Sequence, residues 1–156
     1  MQRRTVMSLA LAPALLPLAR AHHGWSSFDQ DHPLYLQGRV LSVRWQNPHA
    51  ELMLELPANF SLPSDLAQRA VPAQTAPVDG KALLAKAQLP RRRERRWEIE
   101  LAPLTRMQAW GVTPLKAGDE IGVLGFTLHD EKGPAVLRAE YLFVGSQGYG
   151  LRSGPA

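Results

Sequence analysis

The stretch that decides the fold is residues 96–111, which read RWEIELAPLTRMQAWG. In its first six residues, Trp97, Ile99 and Leu101 alternate with charged side chains, as in a half-buried antiparallel strand. The pattern then changes, because Pro103 opens a helix-forming run that Gly111 ends. A strand followed directly by a helix of about two turns therefore stands at the centre of the fold.

Four other segments carry strand patterns. The predicted strands are Tyr35–Trp45, Ala50–Leu56, Arg96–Leu101, Glu120–Phe126 and Ala135–Val144, with the helix at Pro103–Trp110 after the third. In the first strand the apolar phase switches at Val40-Leu41, which indicates a bulge or a bend between two sheets. The order β-β-β-α-β-β predicts an all-β fold with one short helix, a small OB-like five-stranded antiparallel barrel. A simple five-stranded sandwich is the alternative.

The chain divides into three parts. We expect a signal peptide at residues 1–21, a single OB-like β domain at 22–145 and a flexible tail at 146–156. Within the domain, residues 57–94 form an insertion rich in proline, alanine and arginine, without sustained periodicity. Such a length without a pattern is typical of a mobile excursion.

Residues 1–21 have the three parts of an export signal. Arg3-Arg4 is the basic start, an apolar middle follows, and Ala19-Arg20-Ala21 fits the small-residue cleavage pattern. A membrane anchor is the alternative, but the apolar middle is shorter than the ~20 residues that span a bilayer. The arginine pair also fits a twin-arginine signal. We therefore expect a periplasmic protein with no transmembrane span, exported by the Sec or the twin-arginine route.

Composition excludes several classes of function. The chain has no cysteine, which excludes thiolate metal sites, thiol catalysis and disulfides. Cleavage after Ala21 removes three arginines and no acid, so the net charge falls from +4 to +1, and no specific nucleic-acid partner is expected. No nucleophile motif, phosphate loop or zinc spacing is present. Glu98 and Glu100 are expected to be solvated surface, so we assign no catalytic residue.

The histidines suggest a metal site. A mature chain beginning at His22-His23 offers an α-amine, which titrates near pH 8, and an imidazole that together chelate one ion. Tetragonal nitrogen ligands favour copper over zinc. His49 follows the turn signal Asn47-Pro48 and would supply a third ligand at the barrel end. The predicted metal residues are therefore His22, His23 and His49, with copper as the cofactor. The alternative is that the terminal histidines are incidental and His49 bonds local backbone.

Five arginines close the insertion. They are Arg91, Arg92, Arg93, Arg95 and Arg96. One interpretation is a patch for weak contact with an anionic surface such as phospholipid headgroups or a cell-wall polymer. The other is a solvated, charge-rich lead into the third strand.

Several segments together resemble DUF6152, a family of exported bacterial proteins of unknown function. They are His22-His23-Gly24-Trp25, Phe28-Asp29-x-Asp31-x-Pro33, Leu36-x-Gly38-x-Val40, Trp45-x-Asn47-Pro48-His49-Ala50, Trp97-x-Ile99-Glu100, Trp110-Gly111, Leu115-x-x-Gly118-Asp119, Val123 and Gly125. The resemblance covers residues 21–56 and 95–144 and implies a small exported β-barrel without an assigned activity, substrate or cofactor. The chain departs from it in the insertion and at Ala102-Pro103-Leu104-Thr105, where relatives have a turn with glycine and asparagine.

Two functional hypotheses follow. The first is a non-enzymatic periplasmic binding protein that binds copper through its mature N-terminus. The second is an OB-like module that binds an unknown ligand or exported protein without metal, using a barrel face and the arginines at 91–96. An enzyme ranks third. The position of His49 relative to the start of the mature chain separates the first two.

Overall fold

A computed structural model describes residues 24–156, so the predicted signal peptide and His22-His23 lie outside the described residues. Its strands are β1 (Leu34–Arg44), β2 (Glu51–Glu55), β3 (Arg96–Glu100), β4 (Glu120–Phe126), β5 (Val136–Val144) and β6 (Gln147–Gly150). Its helices are α1 (Gly80–Lys86) and α2 (Leu104–Ala109), with short 3₁₀ turns at Trp25–Ser27, Leu66–Gln68 and His129–Glu131. The five strands and the helix of the predicted barrel are all present.

The strands close into a barrel. The sheet runs β3-β2-β1-β4-β5-β6, and β3 also pairs with β5, so the first five strands form a ring. This confirms the OB-like five-stranded barrel with a helix, α2, between β3 and β4. One detail of the prediction is wrong, since β3 and β5 are parallel while the other pairs are antiparallel. The barrel is therefore mixed. Strand β5 is antiparallel to β4 on one side and parallel to β3 on the other.

Strand β1 bends where its apolar phase switches. Its first half pairs with β4 up to Arg39↔Glu120, and its second half pairs with β2 from Arg39↔Glu55 onward. The register shifts between Val40 and Ser42, which confirms the predicted bulge. Gly38 lies just before it, and a Cβ at this position would collide with the carbonyl oxygen of Glu55. The absence of a side chain thus lets β2 cross close to β1.

The barrel interior is filled by the residues that alternation placed inward. Leu54, Trp97 and Ile99 are fully buried, and they belong to the main core cluster with Leu36 and Val123. Met107 on α2 joins the same cluster and closes one end of the barrel. A core of this size holds the domain together without disulfides.

The insertion is packed against the barrel, contrary to the prediction of a mobile excursion. Leu66 in its 3₁₀ turn and Leu84 on α1 are 4% and 2% exposed. They form a second apolar cluster with barrel residues that include Tyr35 and Tyr141. The carboxylate of Asp79 caps α1 by accepting a 2.9 Å hydrogen bond from the amide of Ala82. The physical reason is that β1, β4 and β5 are apolar on their outer side too, and the insertion covers that side.

The C-terminal residues are also part of the structure. Strand β6 pairs with β5, in the region for which a flexible tail was expected. Leu151 is buried, and Gln74 of the insertion forms a bridge with Pro155. The glycines in this segment led to the prediction of a flexible tail. The prediction failed because the local sequence carries no information on these long-range contacts.

Candidate functional site

The loop between β1 and β2 places His49 at one end of the barrel. The side-chain oxygen of Asn47 accepts a 3.2 Å hydrogen bond from the amide of Leu104, at the start of α2. The amide of Ala50 donates to the carbonyl of Ala102 at 2.9 Å. These two contacts tie the loop to the strand-to-helix junction. His49, between them, is 6% exposed.

A carboxylate lies beside the His49 ring. The Nδ1 atom of His49 is 3.4 Å from Oε1 of Glu51, and both side chains are buried. The other carboxylate oxygen of Glu51 pairs with the guanidinium of Arg44. A carboxylate at Nδ1 favours the tautomer that carries its proton there and leaves a lone pair on Nε2.

A row of buried charges crosses three strands from this point. Glu51 on β2 stands opposite Glu100 on β3, which in turn stands opposite Arg138 on β5. The Nη1 atom of Arg138 is 2.9 Å from Oε2 of Glu100. Glu100 is 4% exposed, so the expectation of a solvated Glu98 and Glu100 face is wrong for Glu100, while Glu98 is partly exposed. Alternation shows which residues share a face but not what covers that face.

Trp25 covers the β5 end of the row. Its ring lies 3.6 Å from the guanidinium carbon of Arg152 and 5.1 Å from that of Arg138, both within cation–π range. Phe126 meets the same ring edge-on, with centroids 6.4 Å apart. Arg152 also pairs at 2.7 Å with Glu140, which is fully buried. The segment that follows His22-His23 is thus anchored on β5.

The same network joins the insertion and the C-terminal segment. The Gln74 side chain donates to Glu140 at 3.1 Å, and its oxygen accepts from the amide of Arg152 at 2.9 Å. Arg106 on α2 donates to the carbonyl of Leu151 at 2.9 Å. Burial, and secondarily the charge of Arg138, lower the pKa of Arg106. Four segments of the chain therefore meet around the buried Glu100 and Glu140. They are the N-terminal segment, the insertion, α2 and the C-terminal segment.

Of the three predicted metal residues, the structure describes only His49. His22 and His23 lie outside the described residues, so their distance to His49 stays a prediction. Within residues 24–156, no group of three or more His, Cys, Asp or Glu side chains could hold a metal ion. Sequence reasoning missed Arg138 and Glu140. Their signal was present, because two charges two residues apart in an otherwise apolar strand must share one covered face.

The arginines at 91–96 are mostly engaged within the protein. Their partners are Glu131 for Arg91, Glu94 for Arg92, the carbonyl of Leu56 for Arg95 and Glu55 for Arg96. The hydrogen bond from Arg92 lowers the pKa of Glu94 to about 2. Most of the positive charge is therefore balanced by local acceptors, which weakens the interpretation as an anionic-surface patch.

The outer face of β2 and β3 is unlike a nucleic-acid surface. Its residues are Glu51, Met53, Glu55, Arg96, Glu98 and Glu100. OB folds bind oligonucleotides on these strands by stacking bases on aromatic side chains. The six positions hold four glutamates and no aromatic residue, so this face offers no side chain on which bases could stack.

Among the described residues, none of the helices is long and apolar enough to cross a membrane.

Comparisons with known proteins give one match. The comparisons with curated proteins and with solved structures found no match. The model of a family of unknown function, DUF6152, matches residues 11–61, which include the His-His and Asn-Pro-His-Ala segments. The resemblance to DUF6152 is therefore confirmed, and residues 11–61 are the part of the chain that matches this family.

Proposed function

We propose that this chain is a non-enzymatic, exported periplasmic protein that binds copper with His22, His23 and His49. The observation that carries the proposal is the position of His49. It is buried at the barrel end, beside Glu51, in the row of charges whose far end anchors Trp25. The terminal amine and the two terminal imidazoles supply the remaining nitrogen ligands, a set that favours Cu(II).

The distances permit this arrangement. Glu51 and Arg138 stand on strands separated by β3, so their backbones are two strand spacings apart, about 10 Å. The three residue steps from His22 to Trp25 span up to about 10 Å when extended. Trp25 stacks on Arg138, so the similar size of these two lengths supports a contact between the start of the mature chain and His49.

The carboxylate of Glu51 also supports the proposal. Glu51 and Glu100 are buried next to the proposed position, and each is paired with one arginine. A carboxylate beside Nδ1 raises the basicity of a metal-binding imidazole and fixes its orientation. Glu51 would have this effect on His49.

The first experiment tests the terminus. We expect the intact mass of protein recovered from the periplasm to correspond to a chain that begins at His22. A retained Met1, or a start well downstream, would contradict both the export and the copper proposals. Elemental analysis of the same sample shows whether copper is present.

The second experiment tests the ligands by competition against a copper chelator. We expect His49→Ala to lower Cu(II) affinity by about 10-fold or more, which is about 1.4 kcal/mol. The matched control is His129→Ala, because His129 is exposed in a 3₁₀ turn and should have no effect. A single Met placed before His22 should weaken binding severely, because it removes the amine from the His22 ring. Equal affinity for His49→Ala and His129→Ala would leave only an incidental terminal chelate.

The alternative is a metal-free OB-like module that binds a ligand or an exported protein. An open groove between β1 and the insertion favours it. Weak anionic-surface contact through the arginines at 91–96 is the less supported form of this alternative, because most of them have internal partners. The module would be favoured if protein recovered from the periplasm contained no copper and if His49→Ala left the Cu(II) affinity unchanged.

A further inference from the structure

A groove of about 520 Å³ lies on the barrel wall, away from His49. Its walls are the outer side of β1 at Gln37 and Arg39, the end of β2, and the first turn of the insertion. Its volume is within the range of roughly 300–1,000 Å³ that small-molecule sites occupy. The insertion supplies five of its twelve lining residues.

The groove is built from fixed elements. Phe60 packs against both apolar clusters, and its amide donates to the carbonyl of Pro57 at 3.2 Å, so the insertion turns sharply here. The Nε atom of Arg95 donates to the carbonyl of Leu56 at 2.8 Å, which holds this guanidinium at the rim. A preformed wall lowers the ordering cost of binding a ligand.

The charges in the groove cancel. Arg39 and Arg95 are its cations, and Glu55 and Glu120 are its anions. Arg39 and Glu120 pair at 3.3 Å while about two-thirds exposed, at 66% and 63%. A charged ligand would have to separate this pair or face a like charge, so the groove gives no net attraction to an anion or a cation.

The polar groups instead match an uncharged ligand with neighbouring hydroxyls. Guanidinium and amide groups of Arg39, Asn59 and Gln37 donate, while the carboxylates of Glu55 and Glu120 accept. A hydroxyl does both, so it can bridge a donor and an acceptor without breaking their pairing. The apolar lining formed by Phe60 and the prolines at 57 and 63 offers surface to the C–H groups of a sugar ring.

We propose that this groove binds a neutral oligosaccharide. The site is independent of the copper proposal, because its lining does not include His22, His23 or His49. It gives the insertion a function, since Asn59, Phe60 and Ser61 belong to it.

The test is a titration of the isotope-labelled full chain in which binding is monitored by the NMR chemical shifts of its backbone amides. The probes are three neutral tetrasaccharides (α-linked glucose, β-linked glucose and N-acetylglucosamine), a tetragalacturonate and a zwitterionic tetrapeptide. We expect at least one neutral tetrasaccharide to shift the amides of Asn59 and Ser61 saturably below about 10 mM. The amide of Thr127, outside the groove, should not move.

Matched variants separate the site from a general surface effect. Arg39→Met should weaken tetrasaccharide binding about 10-fold. Lys132→Met breaks a comparable exposed ion pair with Asp130 elsewhere and should change nothing. Both side chains are exposed, so both variants should fold. The proposal is overturned if no neutral tetrasaccharide shifts the groove amides, if only the peptide or the uronate binds, or if the two variants behave alike.

Discussion

Leu84→Ala tests whether the insertion is part of the folded domain. Leu84 lies on α1, is 2% exposed and packs in the cluster that includes Tyr35, Tyr141 and Phe143. Truncation to alanine removes three buried carbons, about 2.4 kcal/mol at ~0.8 kcal/mol per methylene. The aromatic neighbours belong to barrel strands and cannot move in to fill the space, so a cavity cost adds to this. We expect a loss of about 3 kcal/mol, within the usual range for buried leucine.

The assay is a urea titration followed by tryptophan fluorescence, with Leu89→Ala as the control. Leu89 lies in the same insertion but is 39% exposed, so its truncation should cost less than about 0.5 kcal/mol. The slope of the titration should stay the same in both variants, because the surface exposed on unfolding barely changes. Equal midpoints for Leu84→Ala and Leu89→Ala would refute the reasoning and restore the insertion as a mobile excursion.

Three further experiments test other contacts. Arg152→Met should cost about 3 kcal/mol in urea, because it removes an ionic partner from the fully buried Glu140, and adding Glu140→Gln should recover most of the loss. Burial raises the pKa of Tyr141 above 10.0, so its neutral form is favoured in the folded state. The free energy of unfolding should therefore fall as the pH rises above about 10, and less steeply in Tyr141→Phe, which urea titrations at about pH 9 and pH 11 would show. Gly38→Ala should cost about 2 kcal/mol or more because its Cβ meets backbone, whereas Gly154→Ala, with open space, should be neutral.

The barrel could be predicted where its strands alternate apolar and charged residues. Alternation placed Trp97 and Ile99 inward, and the phase switch located the bulge next to Val40. The β4 sequence carried a further signal that the prediction did not use. From Ile121 to Phe126 every residue is apolar or glycine, and a strand that is apolar on both sides requires cover on both faces. That requirement predicts a packed insertion even though the insertion has no periodicity of its own.

In the candidate site, the burial of Glu51 and Glu100 was less predictable, because the local patterns of β2 and β3 do not indicate it. Glu51 and Glu100 alternate with apolar residues as solvated glutamates would. They are buried because Arg44, Arg138 and the N-terminal segment cover them. This cover depends on register across strands that are far apart in the sequence, and no short window contains it.

The N-terminal segment, the insertion and the C-terminal segment form one unit with the barrel. Trp25, Gln74 and Arg152 come from these three segments, and each contacts Arg138 or Glu140 of β5. Because Trp25 is held on β5, a metal proposed at His22 would bind a chain that is fixed from Trp25 onward. Each residue that binding has to order costs about 1–2 kcal/mol of backbone entropy, so this anchor raises the affinity that the same ligands can reach. A terminus released as far as Leu34 would have to order about nine more residues, and the same ligands would then bind far more weakly.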